Sequence, residues 1–112
     1  MTTNQFALAC SEAPNYSDPD AYVSDLLLSA AFLPEDEQAE PDLSMADALR
    51  RIWIAAAAPF RDFLAALGRG QSELSRLYLI PLRTVQNWSG AERDCPIYTR
   101  ILIARCEGYI SV

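Results

Sequence analysis

Arg83, Gln86 and Asn87 fall within five consecutive positions of this 112-residue chain. A guanidinium offers a fork of donors, and a carboxamide offers a donor and an acceptor side by side. Such groups pair with the edges of planar partners: arginine with O6 and N7 of guanine, asparagine or glutamine with N7 and N6 of adenine. On a helix Arg83 and Asn87 stand at i, i+4 and point the same way. Taken alone, polar residues on an exposed helix are more simply read as solvated. Their meaning depends on the elements that carry them.

Those elements lie between Gly70 and Trp88, GQSELSRLYLIPLRTVQNW. The pattern predicts two short helices joined by a tight turn. Gly70 suits an N-cap, and Glu73 is placed to reach back as half of a capping box. Leu74, Leu77 and Tyr78 share one face at i, i+3, i+4 spacing. The first helix must stop before Pro81, because the residue before a proline is driven out of the α region. Pro81 then suits the first position of the next helix, where no N–H is needed. Leu82, Val85 and Trp88 face inward in that helix, leaving Arg83, Gln86 and Asn87 outside.

This stretch resembles the Cro/repressor-type (XRE-like) helix-turn-helix family of bacteria, phages and mobile elements. The family pattern is roughly G-x-[ST]-Q-x-x-L-A-x-x-x-G-[VI]-[SP]-x-x-T-V-x-x-W-E-x-G. Gln71, Leu74, Ser75 (for Ala), Ile80, Pro81, Thr84, Val85 and Trp88 match it, and the likeness covers about residues 57–107. Leu79 replaces the usual turn glycine, Ser89 replaces the acidic residue after Trp, and Gly90 comes one place early. The resemblance implies an all-α helical bundle whose second motif helix enters the DNA major groove. It assigns base contacts to Leu82, Arg83 and Asn87, with Gln86 nearby, Leu82 meeting a thymine methyl or packing inward. It assigns phosphate contacts to Gln71, at a helix N-terminus where free N–H groups favour anions, and to Thr84. Arg69, Arg76 and Arg93 are the nearest cations. The implied protein is a DNA-binding transcriptional regulator, a repressor or autoregulator, acting as a homodimer on double-stranded DNA.

Composition excludes other classes. The chain has no histidine and no lysine, which removes histidine triads, His-ligated zinc and the commonest general base. No phosphate-binding glycine loop is present. The expectation is a protein that is not an enzyme and carries no metal or cofactor. No run of eighteen apolar residues exists, so no membrane span is expected. The start, MTTNQFALAC, lacks the basic and apolar regions of a signal peptide. Cys10, Cys95 and Cys106 are odd in number and lack metal spacing, which suits free thiols in a cytoplasmic protein.

The formal charge of −6 opposes simple phosphate binding, but it is unevenly spread. Residues 1–49 hold ten carboxylates and no arginine, whereas residues 50–112 hold nine arginines and five carboxylates. Such asymmetry can mark a regulatory or nucleic-acid surface, or can serve solubility alone. It also sustains an alternative of another class: an acidic mobile-element protein that binds and inhibits a protein partner, antitoxin-like or anti-CRISPR-like, through its acidic N-terminal half.

Along the chain, residues 1–17 read as weakly ordered, with Phe6 and Leu8 in a short strand or helical turn. A helix is predicted from Pro19 to about Leu33, capped by Asp18, with so broad an apolar face that it must pack on the core or on a second subunit. Residues 34–41 read as an acidic linker. Ser44 caps a helix over about Met45–Ala58. Another runs from Pro59 to Gly68, and a last one from Pro96 to about Glu107. The expected division is an acidic N-terminal extension, residues 1–43, and a helix-turn-helix domain, residues 44–112. About six helices should share a core of Leu49, Ile52, Trp53, Phe63, Leu64, Leu74, Leu77, Val85, Trp88 and Leu102.

Overall fold

Prolines punctuate the chain, and helices begin where they stand. In the computed structural model, which describes residues 1–32 and 43–111, α1 spans Thr3–Glu12, α2 Pro19–Leu28 and α3 Leu43–Ala56. Then come α4 (Phe60–Leu67), α5 (Gln71–Tyr78), α6 (Leu82–Ser89) and α7 (Ile97–Cys106). Single 3-10 turns follow α1 at Ala13–Asn15 and α2 at Ala30–Phe32. No strand occurs among the described residues, so the protein is all-α. Pro19 occupies the first turn of α2, whose N-cap Asp18 accepts from the Asp20 N–H at 3.2 Å. Pro59, Pro81 and Pro96 each sit one place earlier, as extended N-caps of α4, α6 and α7. Pro81 is therefore the cap of its helix and not the first helical residue.

The segment near Phe6, expected as weakly ordered with a short strand or helical turn, is a full helix, α1. Its start is a reciprocal cap: the Gln5 N–H donates to Thr2 Oγ1 at 3.1 Å, and the Thr2 N–H donates to Gln5 Oε1 at 2.8 Å. The Thr2-x-x-Gln5 spacing carries this signal in the sequence. It is masked there because only Phe6 and Ala9 of α1 are buried, too few for a clear apolar stripe. Helix α2 stops at Leu28, short of the expected Leu33. Ser29 turns extended and binds the Leu26 carbonyl through both its N–H and its hydroxyl, at 3.0 and 2.8 Å. Leu33 and the linker at 34–41 lie outside the described residues. Helix α3 begins at Leu43, which places Ser44 inside its first turn and not before it.

Helix α3 is the centre of the bundle. It contacts α1 and α2 as well as α4 and α7, and Leu49, Ile52, Trp53, Ala55 and Ala56 are all buried. Three hydrogen bonds fix the leading helices. The Tyr22 hydroxyl donates to the Ala9 carbonyl at 2.8 Å, Trp53 Nε1 to the Tyr16 carbonyl at 3.0 Å, and Gln5 Nε2 to the Ala31 carbonyl at 2.8 Å. One apolar cluster thus runs from Phe6 and Tyr22 through Trp53 and Phe63 to Ile103.

Two expected core residues are not there. Leu77 is 52% exposed and Leu102 60% exposed, whereas Trp88 is half-buried against the core edge. Helix α7 explains the second case. Ile97, Tyr98, Ile101, Leu102 and Ile103 make it apolar around most of its circumference, so periodicity cannot choose a face. The face buried in the fold is Arg100, Ile103 and Ala104. It contains an arginine, which no hydrophobic pattern would select. Helix α5 buries only Leu74 fully, and Leu77 points to its outer side. Phe63 has no exposed surface, so Phe63→Ala is expected to cost about 3–5 kcal/mol, and Leu77→Ala less than about 0.5 kcal/mol. Urea unfolding midpoints at unchanged slope check both.

Candidate nucleic-acid interface

Helices α5 and α6 are each eight residues long and pack on one another. The three-residue turn between them runs through Leu79, which adopts the left-handed conformation (φ 55°) with its side chain 90% exposed. The Ile80 N–H donates to the Ser75 carbonyl at 3.1 Å, and the Ser75 hydroxyl returns a bond to the Ile80 carbonyl at 2.6 Å. The serine therefore ties the end of α5 to the entry of α6. Beyond α6, Ala91 is the other non-glycine residue with positive φ among the described residues, at 60°.

Burial orients α6. Val85 is fully buried, and the Trp88 ring meets Phe60 edge-on, centroids 5.3 Å apart. Arg83 and Gln86 are exposed, Leu82 is 40% exposed, and Asn87 and Thr84 are half-buried. Leu82 therefore does not join the inward face expected of it. The other three base-contact candidates share a surface on which Arg83 and Gln86 stand furthest out. Among the described residues no carboxylate pairs with Arg83.

Around this surface the candidate phosphate contacts divide. Gln71 is exposed in the first turn of α5, whose N-cap Gly70 has no side chain to occupy the free N–H groups. Arg76 and Arg93 are exposed and without an ion pair among the described residues. Arg69 has another role. Its Nε and Nη2 grip both oxygens of Glu107 at 3.0 and 3.1 Å, and its Nη1 takes Glu73 at 3.1 Å. Glu73 thus serves Arg69 and does not close the expected capping box, and the clamp fastens the start of α5 to the end of α7. The Arg69–Glu73 pair has the i, i+4 spacing that a sequence can show. Glu107 lies 38 residues away and gave no signal.

The clamp has electrostatic consequences. The Arg69 hydrogen bonds hold the Glu107 carboxyl below its ordinary value, with help from Tyr78, whose own hydroxyl is pushed up to about 12 by burial first and by Glu107 second. No group of three His, Cys, Asp or Glu is gathered as a metal site requires among the described residues. No helix there is long and apolar enough to cross a membrane. The cysteines are unpaired, Cys95 buried and Cys106 exposed. Comparisons with protein-family models, curated proteins and solved structures found no match.

Two tests follow from this geometry. A side chain in the left-handed region costs about 1–2 kcal/mol, and glycine returns roughly 0.5–1 kcal/mol of that as lost backbone entropy. Leu79→Gly is therefore expected to stabilise the fold by about 0.5–1 kcal/mol, while Leu79→Ala, equally strained, leaves it unchanged; thermal unfolding separates them. For Glu107, a carboxyl depressed in the fold adds stability above its unfolded value and loses it as pH falls through the folded one. Glu107→Gln is expected to melt lower than the parent at pH 7. The two should converge as pH drops below the ordinary glutamate value of about 4.3, as melting curves taken across a pH series would report.

Proposed function

We propose that this protein is a sequence-specific DNA-binding transcriptional regulator, a repressor or autoregulator, that lays α6 in the major groove. The observation that carries the reading is the outer surface of α6. Its exposed Arg83 and Gln86, beside Asn87, are free of internal carboxylates among the described residues, while Val85 and Trp88 anchor the opposite side. A second feature supports it. The helix-turn-helix pattern puts glycine at two places, one after α5 and one after α6. Here those places hold Leu79 and Ala91, which among the described residues are the two that adopt left-handed conformations without being glycine. A left-handed backbone at both places is what a glycine there would readily adopt, and this supports the helix-turn-helix reading.

In this reading Arg83 pairs with a guanine and Asn87 or Gln86 with an adenine. The open N-terminus of α5 at Gln71 faces a phosphate, and Thr84, Arg76 and Arg93 add backbone contacts. Leu82, partly exposed at the start of α6, is placed for a thymine methyl. The protein works in the cytoplasm as a homodimer on an inverted repeat, with half-sites about one helical turn apart. Exposed Tyr98 and Leu102 on α7 and Leu28 on α2 offer apolar surface for that pairing.

Selection of bound duplexes from a random pool at near-physiological salt tests the proposal directly, and an enriched palindrome is the expected result. Arg83→Ala should then cost about 1–3 kcal/mol and relax preference at one base pair, whereas Gln71→Ala should weaken all sequences alike. A pool that enriches no motif would turn attention to the acidic half as a protein-binding inhibitor surface.

A further inference from the structure

A groove of about 750 Å³ opens where α3, α4, α6 and α7 meet, and Arg83, Gln86 and Asn87 do not line it. Its position is set by the turn Ala57–Pro59 on one side and by the end of α6 on the other. Tyr16, Phe60, Trp88 and Ile97 give it apolar and aromatic walls. Three of the chain's nine arginines line it, Arg61, Arg93 and Arg100, against one carboxylate, Asp94.

Arg100 is the unusual member. It is only 8% exposed, yet no carboxylate lies within ion-pairing distance among the described residues. Its Nη2 donates to the carbonyl of Ile54, in the last turn of α3, and to that of Ala58, two residues past its end. Its guanidinium also lies over the Phe60 and Phe63 rings, at 5.9 and 5.3 Å. These contacts account for one nitrogen. Nε is buried with no partner, and so is the Ser89 hydroxyl, on a second residue of the same groove. A buried donor without an acceptor is costly, and more so when charged. Carbonyl dipoles and ring faces stabilise a cation without neutralising it. Concave sites with apolar walls and a few convergent polar groups are where small ligands bind.

We propose that this groove binds an amphipathic organic anion, an aromatic or aliphatic carboxylate. Its acid group is held by Arg100 and the rim arginines Arg61 and Arg93, and its apolar body lies against Phe60 and Trp88. Arg61 and Arg100 take no part in the proposed DNA contacts, whereas Arg93 is shared by the two sites. Asp94 is the internal competitor for the same cations.

Titration of the isotope-labelled full chain by NMR tests this, with 2-naphthoate and decanoate as probes and 2-naphthamide as the neutral control. Saturable shifts are expected at the Arg100 Nε–H, the Trp88 indole N–H and the amides of the α6–α7 loop, with binding of the amide at least about tenfold weaker than of the acid. Arg100→Gln keeps a donor for the Ile54 and Ala58 carbonyls but drops the charge, and should abolish binding of the acid. Asp94→Asn should tighten it. Should Arg100→Gln fail to fold, the exposed double change Arg61→Gln with Arg93→Gln decides, and a several-fold loss is expected. No saturable shift with either acid, equal response to acid and amide, or unchanged affinity in a folded arginine variant overturns the proposal.

Discussion

The C-terminal end of α3 is the point on which the other elements depend. The last carbonyls of a helix have no partners within it, and here they lie under two further helices. Arg100 reaches across from α7 to take the Ile54 and Ala58 carbonyls. A cation at that end also suits the partial negative charge of the helix dipole. Burial pushes the Arg100 guanidinium below its ordinary value, and the rings of Phe60 and Phe63 from α4 receive it on their faces. One side chain therefore joins α3, α4 and α7, and the placement of α6 follows through the contact of Phe60 with Trp88.

The arginine excess of the second half is largely spent inside the protein. Arg50 pairs with Asp20 and Arg51 with Asp47. Arg69 is clamped by Glu73 and Glu107, and Arg105 lies over the Phe6 ring at 4.7 Å. With Arg100 buried, the exposed arginines free of ion pairs among the described residues are Arg61, Arg76, Arg83, Arg93 and Arg105, the last resting on the Phe6 ring. Charge counted along the chain overstates what is available to a phosphate backbone. It also misses that Asp20, in the acidic half, already neutralises an arginine of the other half.

Helix positions were legible because their signals are local. Gly68 and Gly108 adopt the left-handed conformation after α4 and α7, as glycine past a helix end readily does. The outward placement of Arg83 and Gln86 followed from the spacing of Val85 and Trp88. Arg69, in contrast, looked like a phosphate contact because nothing near it in sequence revealed Glu107. Leu102 looked like core because α7 offers apolar residues on nearly every side, and the bundle needed only one of them.

The sequence by itself determined that the protein is all-α and roughly where the helices from α3 to α7 lie, though not α1 or the end of α2. Caps, prolines and left-handed turns act through neighbouring backbone groups, within reach of a few residues. Only the tertiary structure decided which face of α7 is buried, that Arg100 has no carboxylate while Arg69 has two, and that α1 and α2 share one apolar cluster with α3. Those outcomes depend on which surfaces meet across dozens of residues. Burial converts the same side chain from a solvated charge into a structural cap, and sequence spacing has no record of it.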